Sequence, residues 1–530
     1  MTRLVILTFV IFTSGVISAS TWYVSSTGTS TNGTVADPWG VEYSFTNSLI
    51  SPGDEILFTP GTYTCTNWSD SYSATNVVLF SRSGNGAAKV TYRPTTLWGF
   101  TFEGGVIVPS SSSNLIIRDF IVTCPWITPR YRTNQYHYPG GINIYGSNVM
   151  VMHNVFDNTG HPSIGQWNYT GELYIAGNIC RFPGYWDSAE SGSGTVGQRG
   201  SGGYYQTMYT GGNHIVSGNI TYYLPRNGQK VTGANSAFTF TGNMIYESLQ
   251  FGLDYYSKED QPDAVTYSSN YVFSPTVGVA AYLGTDTTPD MNYTVAKRGY
   301  ITNNYFVGSL KGLVLTDHWT NVTVTGNTIM NMGSFGDGQS GFVSEYNVMA
   351  IDSTAPIQTP TYVMSGNAYY TDASTTYDFI YAGTNVSFAA LMSIVGDSTS
   401  TYSIGYPTSN AVYVVRPSTD TTFAHVAVYN WQTNSSQVVD LTGVFAGGDS
   451  IDIYDAQNIP TAYTNVIFGG TSITLDLSLT NYVPMIGVYT NVANAWAGFD
   501  PRFRAFVLHK TQTQRSFGGK STWLGKGNFK

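Results

Sequence analysis

The sequence predicts an all-β protein in which a long solenoid of short parallel strands is followed by a small β-sandwich. Three observations predict it. Hydrophobic residues make up 42% and aromatics 15% of the 530 residues, against only 10% charged, so the chain can bury a large core with few ionisable groups. A Gly-Asn or similar turn followed by an apolar residue then recurs through the middle of the chain. Finally, the recurrence stops near residue 405, where alternating strands with ordinary turns replace it. The 57 glycines show no collagen period, and no long amphipathic pattern supports a helical bundle or coiled coil.

The chain opens with Arg3, an apolar run from Leu4 to Val16 and a small-residue site at Ile17-Ser18-Ala19. This is the pattern of a secretion signal, expected over 1–19, and the run is short for a membrane span. No other stretch approaches spanning length, so no membrane span is expected. The protein is expected to work in an extracytoplasmic place, secreted or at the cell surface. Three cysteines, Cys65, Cys124 and Cys180, form no CxxC; buried free thiols are expected rather than a disulfide framework.

Strand-like segments at Trp22–Gly28 and Pro52–Tyr63 flank Val41–Ile50, whose spacing predicts a short amphipathic helix closing the first coil. The repeat follows. Its corner asparagines are Asn154, Asn178, Asn219, Asn243, Asn270, Asn304, Asn327 and Asn367, spaced 24, 41, 24, 27, 34, 23 and 40 residues apart. A period in the low twenties with insertions signals a solenoid. Each corner follows an alternating strand, as in Asn148–Asn154 and Asn321–Asn327. Asparagine tolerates the left-handed conformation of a sharp corner, and its amide can bond the coils above and below. Stacked at about 4.8 Å, the asparagines are expected to form an internal ladder. A second strand precedes each of these, around Gly141–Tyr145, Gly228–Thr232, Gly252–Tyr256 and Gly312–Thr316.

Two or three short strands per coil with an Asn corner resemble the right-handed parallel β-helix (pectate lyase-like) superfamily of extracellular carbohydrate-active proteins. The opening segments Trp22–Gly28, Asp37–Trp39 and Pro52–Tyr63 resemble the capping region of such proteins. The resemblance covers roughly residues 21–400 and implies a right-handed parallel β-helix with its N-terminal cap, taken as 20–404. It is specific for fold; the superfamily contains lyases, hydrolases and adhesins alike.

From Ala411 the strands at Ala411–Val415, Ala424–Tyr429, Asp449–Tyr454 and Thr471–Leu477 predict a C-terminal β-sandwich over 405–510. It resembles the small sandwich appended to many secreted glycosidases, which implies a buttressing role. Residues 511–530 are expected to be a flexible basic tail. Seven of the 23 basic residues follow residue 501, leaving 16 bases against 32 acids in the body. A body charge of −16 repels phosphate backbones, so nucleic acid is excluded as a partner.

Counting back from each corner aligns Ile142, Gln166, Gln206, Gln229 and Leu253, with Asn143, Trp167, Thr207, Lys230 and Asp254 as their neighbours. Lys230 and Asp254 are then expected on adjacent coils of an outward face. They form either a surface ion pair or an ionisable pair in the groove where relatives hold polysaccharide. The insertion between Asn178 and Asn219 carries Arg181, Trp186, Asp187, Glu190, Tyr204 and Tyr205. Asp187 and Glu190 are either solvated loop acids or, at the right separation, an acid and a base or nucleophile for glycoside hydrolysis. The candidate catalytic residues are therefore Lys230, Asp254, Asp187 and Glu190.

The loop from Trp126 to Tyr138 brings Trp126, Arg130 and Arg132 before the strand at Gly141. Aromatic faces stack on sugar rings, and guanidinium groups bond hydroxyls or carboxylates. With Asn143, Trp167, Tyr205, Gln206, Arg226 and Tyr256 these are the candidate substrate-binding residues; the alternative for the loop is packing by its own rings. His137, His153, His161, His214 and His318 lack metal-ligand spacing and are expected in core or corner roles. Asp254, Glu259, Asp260 and Asp263 lack the spacing of a calcium loop. No metal ligands are assigned, and calcium is the one cofactor left open.

Within the resemblance, the paired aspartates and Gly-His-Gly of the polygalacturonase-like branch are missing, as are evident acid clusters of the pectate lyase type. Lyases of the chondroitinase B and alginate type use a strand lysine with an arginine about one coil further on. Lys230 resembles that lysine, but the next coil offers Asp254, and Arg226 is the only nearby substitute. The expected function is a glycoside hydrolase or polysaccharide lyase acting on an extracellular polysaccharide. The alternative is a non-catalytic carbohydrate-binding or adhesive surface protein. The glycan and the oligomeric state are left open.

Overall fold

The computed structural model describes residues 19–511 apart from internal segments, the longest of which are 65–77, 125–140, 188–196, 285–295, 333–346, 352–360 and 481–499. Residues 1–18, Cys65 and the basic tail therefore lie outside the described residues.

Each coil gives one strand to each of three parallel sheets. Ser147–Met152 joins sheet A, Val155–Asp157 sheet B and Ile164–Trp167 sheet C, and the chain returns to sheet A at Leu173–Ala176. Among the described residues the sheets hold 13, 12 and 12 strands. Strands inside each sheet pair in parallel with the coil before and the coil after, which makes the unit a parallel β-helix. Alternation builds its core: Tyr92, Ile117, Val151, Ile175, Val216 and Phe240 stack in register on sheet A, and all are buried.

The corner between sheets A and B carries the expected ladder. The Asn154 backbone N–H and Nδ2 both donate to Asn178 Oδ1, at 3.0 and 3.1 Å, while Nδ2 also donates to the Ile117 carbonyl at 3.0 Å. The same pattern runs through Asn219, Asn243, Asn270, Asn304 and Asn327 to Asn367, whose N–H donates to Ser400 Oγ at 2.9 Å. All eight asparagines are buried, so each ladder bond removes a desolvation penalty as well as adding a contact. One detail differs from expectation. The left-handed residue is the one before each asparagine, for example His153 at φ 55°, Gly218 at 60° and Asn303 at 56°. The preceding residue makes the turn, and the asparagine bonds the coils on both sides.

Both ends of the solenoid are capped. Trp22 stacks on Trp39 with ring centroids 4.6 Å apart, and its Nε1–H donates to Asp54 at 2.8 Å. Helix α1 (Val41–Thr46) is shorter than the expected Val41–Ile50, and it lays Val41 and Phe45 over the first coil. At the other end α2 (Phe388–Val395) is N-capped by Ser387 and stopped by Gly396 at φ 70°. It buries Leu391 and Met392 against the last coil.

Among its described residues the C-terminal unit has a five-stranded antiparallel sheet and a two-stranded one, Ser436–Asp440 with Ser472–Asp476. A core of Val426, Val428, Leu441, Ile451, Phe506 and Leu508 lies within this unit. The other face of the larger sheet packs on sheet B through Phe423, Ala427, Tyr429, Phe503 and Ala505. Burial on both faces explains why every residue of Phe423–Tyr429 is buried. Cys124 and Cys180 are buried, and burial pushes the Cys180 thiol up to about 12. No helix among the described residues is long and apolar enough to cross a membrane.

Candidate functional site

The three outer faces of the solenoid differ. Sheet B presents Tyr222, Tyr246, Phe273 and Tyr305, and the sandwich covers them: Tyr305 stacks on Tyr429 at 3.9 Å and Tyr246 on Phe503 at 5.6 Å. A polymer therefore cannot lie on this face. Sheet A is open along Tyr174, Ile215, Thr239, Thr266, Tyr300 and Thr323, which are in register on successive coils. Sheet C carries the residues that the sequence singled out.

Register on sheet C places Asn143, Gly165, Tyr205, Lys230 and Asp254 in one row, continued by Tyr282, Val314, Ala350 and Ile380. The residues on either side of Asn143, Ile142 and Ile144, belong to the core, and the apolar end of the row forms a separate small cluster. This is accordingly the outward row. Lys230 lies opposite Asp254 on the next coil as expected, at the strand spacing of about 4.8 Å. Trp167, Thr207, Thr232 and Tyr256 form the next row on the same face. For Lys230, Asp254, Tyr205, Gln206, Trp167 and Tyr256 the structure describes the backbone, which fixes these positions.

Two alignments are corrected. Ile164 and Tyr204, rather than Gln166 and Gln206, stand in the row of Ile142, Gln229 and Leu253. Connections from sheet C to the asparagine corner differ in length between coils, so counting back from the corner misplaces these two strands by two residues. Trp167 consequently moves out of the Lys230 row into the next one. Gln206 falls in the row of Ile144, Gln166, Leu283 and Leu315, whose described members are buried; alternation takes that row out of the groove. Asp187 ends the strand Tyr185–Asp187, opposite Gly197 in a small antiparallel pair. Trp126, Arg130, Arg132, Arg226 and Glu190 lie outside the described residues.

A second charged region, unannounced by any local pattern in the chain, lies where the sandwich meets sheet A. Arg118 donates to Asp119 at 2.8 Å and to Asp420 of the sandwich at 2.6 Å. Burial disfavours ionised Asp420, but bonds from Thr422 and the charge of Arg118 outweigh it and hold the carboxyl down to about 2. Burial pushes the Asp119 carboxyl up despite Arg118. An open cleft of about 320 Å³ lies here, lined by Glu55, Arg93, Arg118, Met150, Met152 and Asp420. Arg93 pairs with Glu55 at 2.5 Å, so both guanidinium groups are already engaged with carboxylates. The partners are separated by up to some 300 residues in the chain, and no local pattern announces them. Of the scattered histidines, His214 is in the core beside Phe238, where burial lowers it to about 3. His153 occupies a corner. Among the described residues no three His, Cys, Asp or Glu side chains are placed to hold a metal ion.

No family model matches the chain, and no curated protein matches it in sequence. Among solved structures it is similar to a pectate lyase (Pel9A) at 16% identity, with 71% of this chain and 84% of that one covered and a TM-score of 0.38. It is also similar to a rhamnogalacturonan lyase at 12% identity, covering 76% and 90% with a TM-score of 0.38. A third is a GH136 lacto-N-biosidase from Eubacterium ramulus at 10% identity, covering 62% and 68% with a TM-score of 0.30. The assignment of the parallel β-helix rests on the sheets and ladder described above.

Proposed function

We propose that this chain is an extracytoplasmic carbohydrate-active protein that engages a polysaccharide along the outward rows of sheet C and cleaves it as a glycoside hydrolase or polysaccharide lyase. The observation that supports this reading is the register that sets Lys230 opposite Asp254 in the row of Asn143 and Tyr205. A repeating polymer laid across the coils meets an outward position about every 4.8 Å. The register puts a basic and an acidic residue on neighbouring coils of one outward row, and positioned acid–base side chains are what proton transfer at a glycosidic centre uses. Proton transfer at such a centre is ordinarily done by carboxyl groups. The proposal therefore gives Lys230 the task of holding an anionic or hydroxyl group and Asp254 the proton transfer. Trp167 and Tyr256 in the adjacent row supply stacking faces. Asp187 and Glu190 are the further carboxylates proposed, and Trp126, Arg130, Arg132 and Arg226 the further binding groups.

The test is a screen of the purified protein against neutral and uronic-acid polysaccharides, with and without calcium, reading reducing ends and the ultraviolet absorbance of unsaturated products. Both signals together mean a lyase; reducing ends alone mean a hydrolase. The open face of sheet A, with threonines and tyrosines in register, favours the second reading of a non-catalytic carbohydrate-binding protein. That reading predicts retardation of the protein in polysaccharide gels without either product.

A further inference from the structure

We propose that the contact between solenoid and sandwich is a pH-sensitive latch, closed by three neutral histidines and opened when they take up protons. Three of the chain's seven histidines meet at this one contact. His153 stands at a left-handed corner of the solenoid, φ 55°, and its ring stacks on Phe423 of the sandwich at 3.9 Å and 9°. His509 is the cross-strand partner of Phe423, with ring centroids 4.6 Å apart. His425, two residues along the same strand, reaches the corner two coils further on, where its Nδ1–H donates to the Gly218 carbonyl at 2.7 Å.

The approach is tight enough to need glycine at that corner: a Cβ on Gly218 would lie 2.4 Å from Pro417. His153 and His425 are almost wholly buried. The bond to Gly218 fixes the His425 proton on Nδ1 and leaves Nε2 buried without a partner among the described residues. A second proton would create a buried cation with no acceptor, which is costly.

The charged groups facing the three rings are Arg118 and Asp119 from the solenoid and Asp420 and Asp452 from the sandwich. Asp420 Oδ2 is 2.6 Å from Arg118 but 4.0 Å from His153 Nε2. The carboxylate that would welcome an imidazolium is thus committed to a guanidinium. Burial, with Arg118 and His425 adding to it, holds His153 well below the ordinary 6.5. Burial also lowers His509, and takes His425 to about 4.

Groups depressed in the closed form bind fewer protons there than when released, so closure is favoured at high pH and is lost as pH falls below 6.5 towards 4. Each such histidine weakens closure by about tenfold per pH unit in that window. Asp420, held to about 2, stays ionised throughout and keeps its bond to Arg118. Raised Asp119 acts in the opposite sense, because protonation relieves its buried charge. The histidines outnumber it. Opening would uncover the aromatic strip of Tyr222, Tyr246, Phe273 and Tyr305.

The experiment is an acid titration of the full chain from neutral pH to about pH 4, followed by small-angle scattering and a dye that fluoresces on apolar surface. The expected result is a reversible rise in radius of gyration and dye signal, with strand circular dichroism unchanged. The variant His153→Phe, His425→Asn, His509→Phe keeps the stacking and, through the Asn Nδ2–H at the place of Nδ1–H, a donor to Gly218, but cannot titrate, and should stay closed. A wild-type chain that remains compact and dark throughout overturns the latch, as does a variant that opens at the wild-type midpoint. Should the triple variant lack strand structure at neutral pH, His425→Asn alone carries the test. It should remove about one proton from the pH dependence of opening, and an unchanged dependence overturns the proposal.

Discussion

Sheets B and C are built on the same coils with the same strand spacing, yet their outward faces have opposite fates. Sheet B is apolar outside as well as inside, with Tyr222, Tyr246, Phe273 and Tyr305 sealed under the sandwich. The outward row of sheet C instead runs from Asn143 through Tyr205, Lys230 and Asp254 before turning apolar at Tyr282 and Val314. The difference teaches that a solenoid repeats a backbone, not a surface. The coil fixes spacing, and single residues decide whether a face is closed by protein or offered to a ligand.

The comparison breaks most severely at the closed face. Tyr429→Ala removes a fully buried ring that stacks on Tyr305 and donates its hydroxyl to the Tyr305 carbonyl at 3.0 Å. It should cost about 3–5 kcal/mol of stability in denaturant titration. A loss under about 1 kcal/mol would mean that the sandwich hardly depends on sheet B. On the other face, Lys230→Met and Asp254→Asn should each lower polysaccharide turnover by about 10²–10⁴-fold. Their thermal midpoints should stay near wild type, as befits an outward row; a midpoint collapse with proportional loss of activity would make the pair structural.

The asparagine corner, which lies between sheets A and B, should show an effect of similar size to that of the buried ring. Asn243→Ala deprives the Asn219 N–H and the Val216 carbonyl of ladder partners, at about 1–3 kcal/mol for each buried group left unpaired. Calorimetry that shows no change would demote the ladder to decoration. The smallest effect belongs to Arg93→Ala, which breaks a half-exposed pair with Glu55 and should cost about 0–1 kcal/mol.

The corner ladder was legible because it is local and repeated: each asparagine announces itself, and its partner is the next one along the chain. What failed there was one residue of backbone detail, since Gly218 or His153 makes the turn that the asparagine was expected to make. Sheet C was half legible. Lys230 and Asp254 could be paired from their own strand patterns, whereas the rows of Gln166 and Gln206 were displaced by connections of unequal length.

The closure of sheet B left a signal that went unused. Asn243-Met-Ile-Tyr246 and Asn270-Tyr-Val-Phe273 are apolar at inward and outward positions alike, the mark of a sheet covered on both sides. The contact of Arg118 with Asp420 and of His153 with Phe423 left none, because it joins residues hundreds of positions apart through folded surfaces.

The most direct test of the central claim, that the outward row of sheet C is the acting face, is side-by-side turnover of the polysaccharide panel by wild type and Asp254→Asn at matched folded concentration. The account predicts that wild type releases products from at least one polysaccharide and that Asp254→Asn releases them at least about a hundredfold more slowly. Wild-type inactivity on every polymer, or an Asp254→Asn variant as active as wild type, would contradict it.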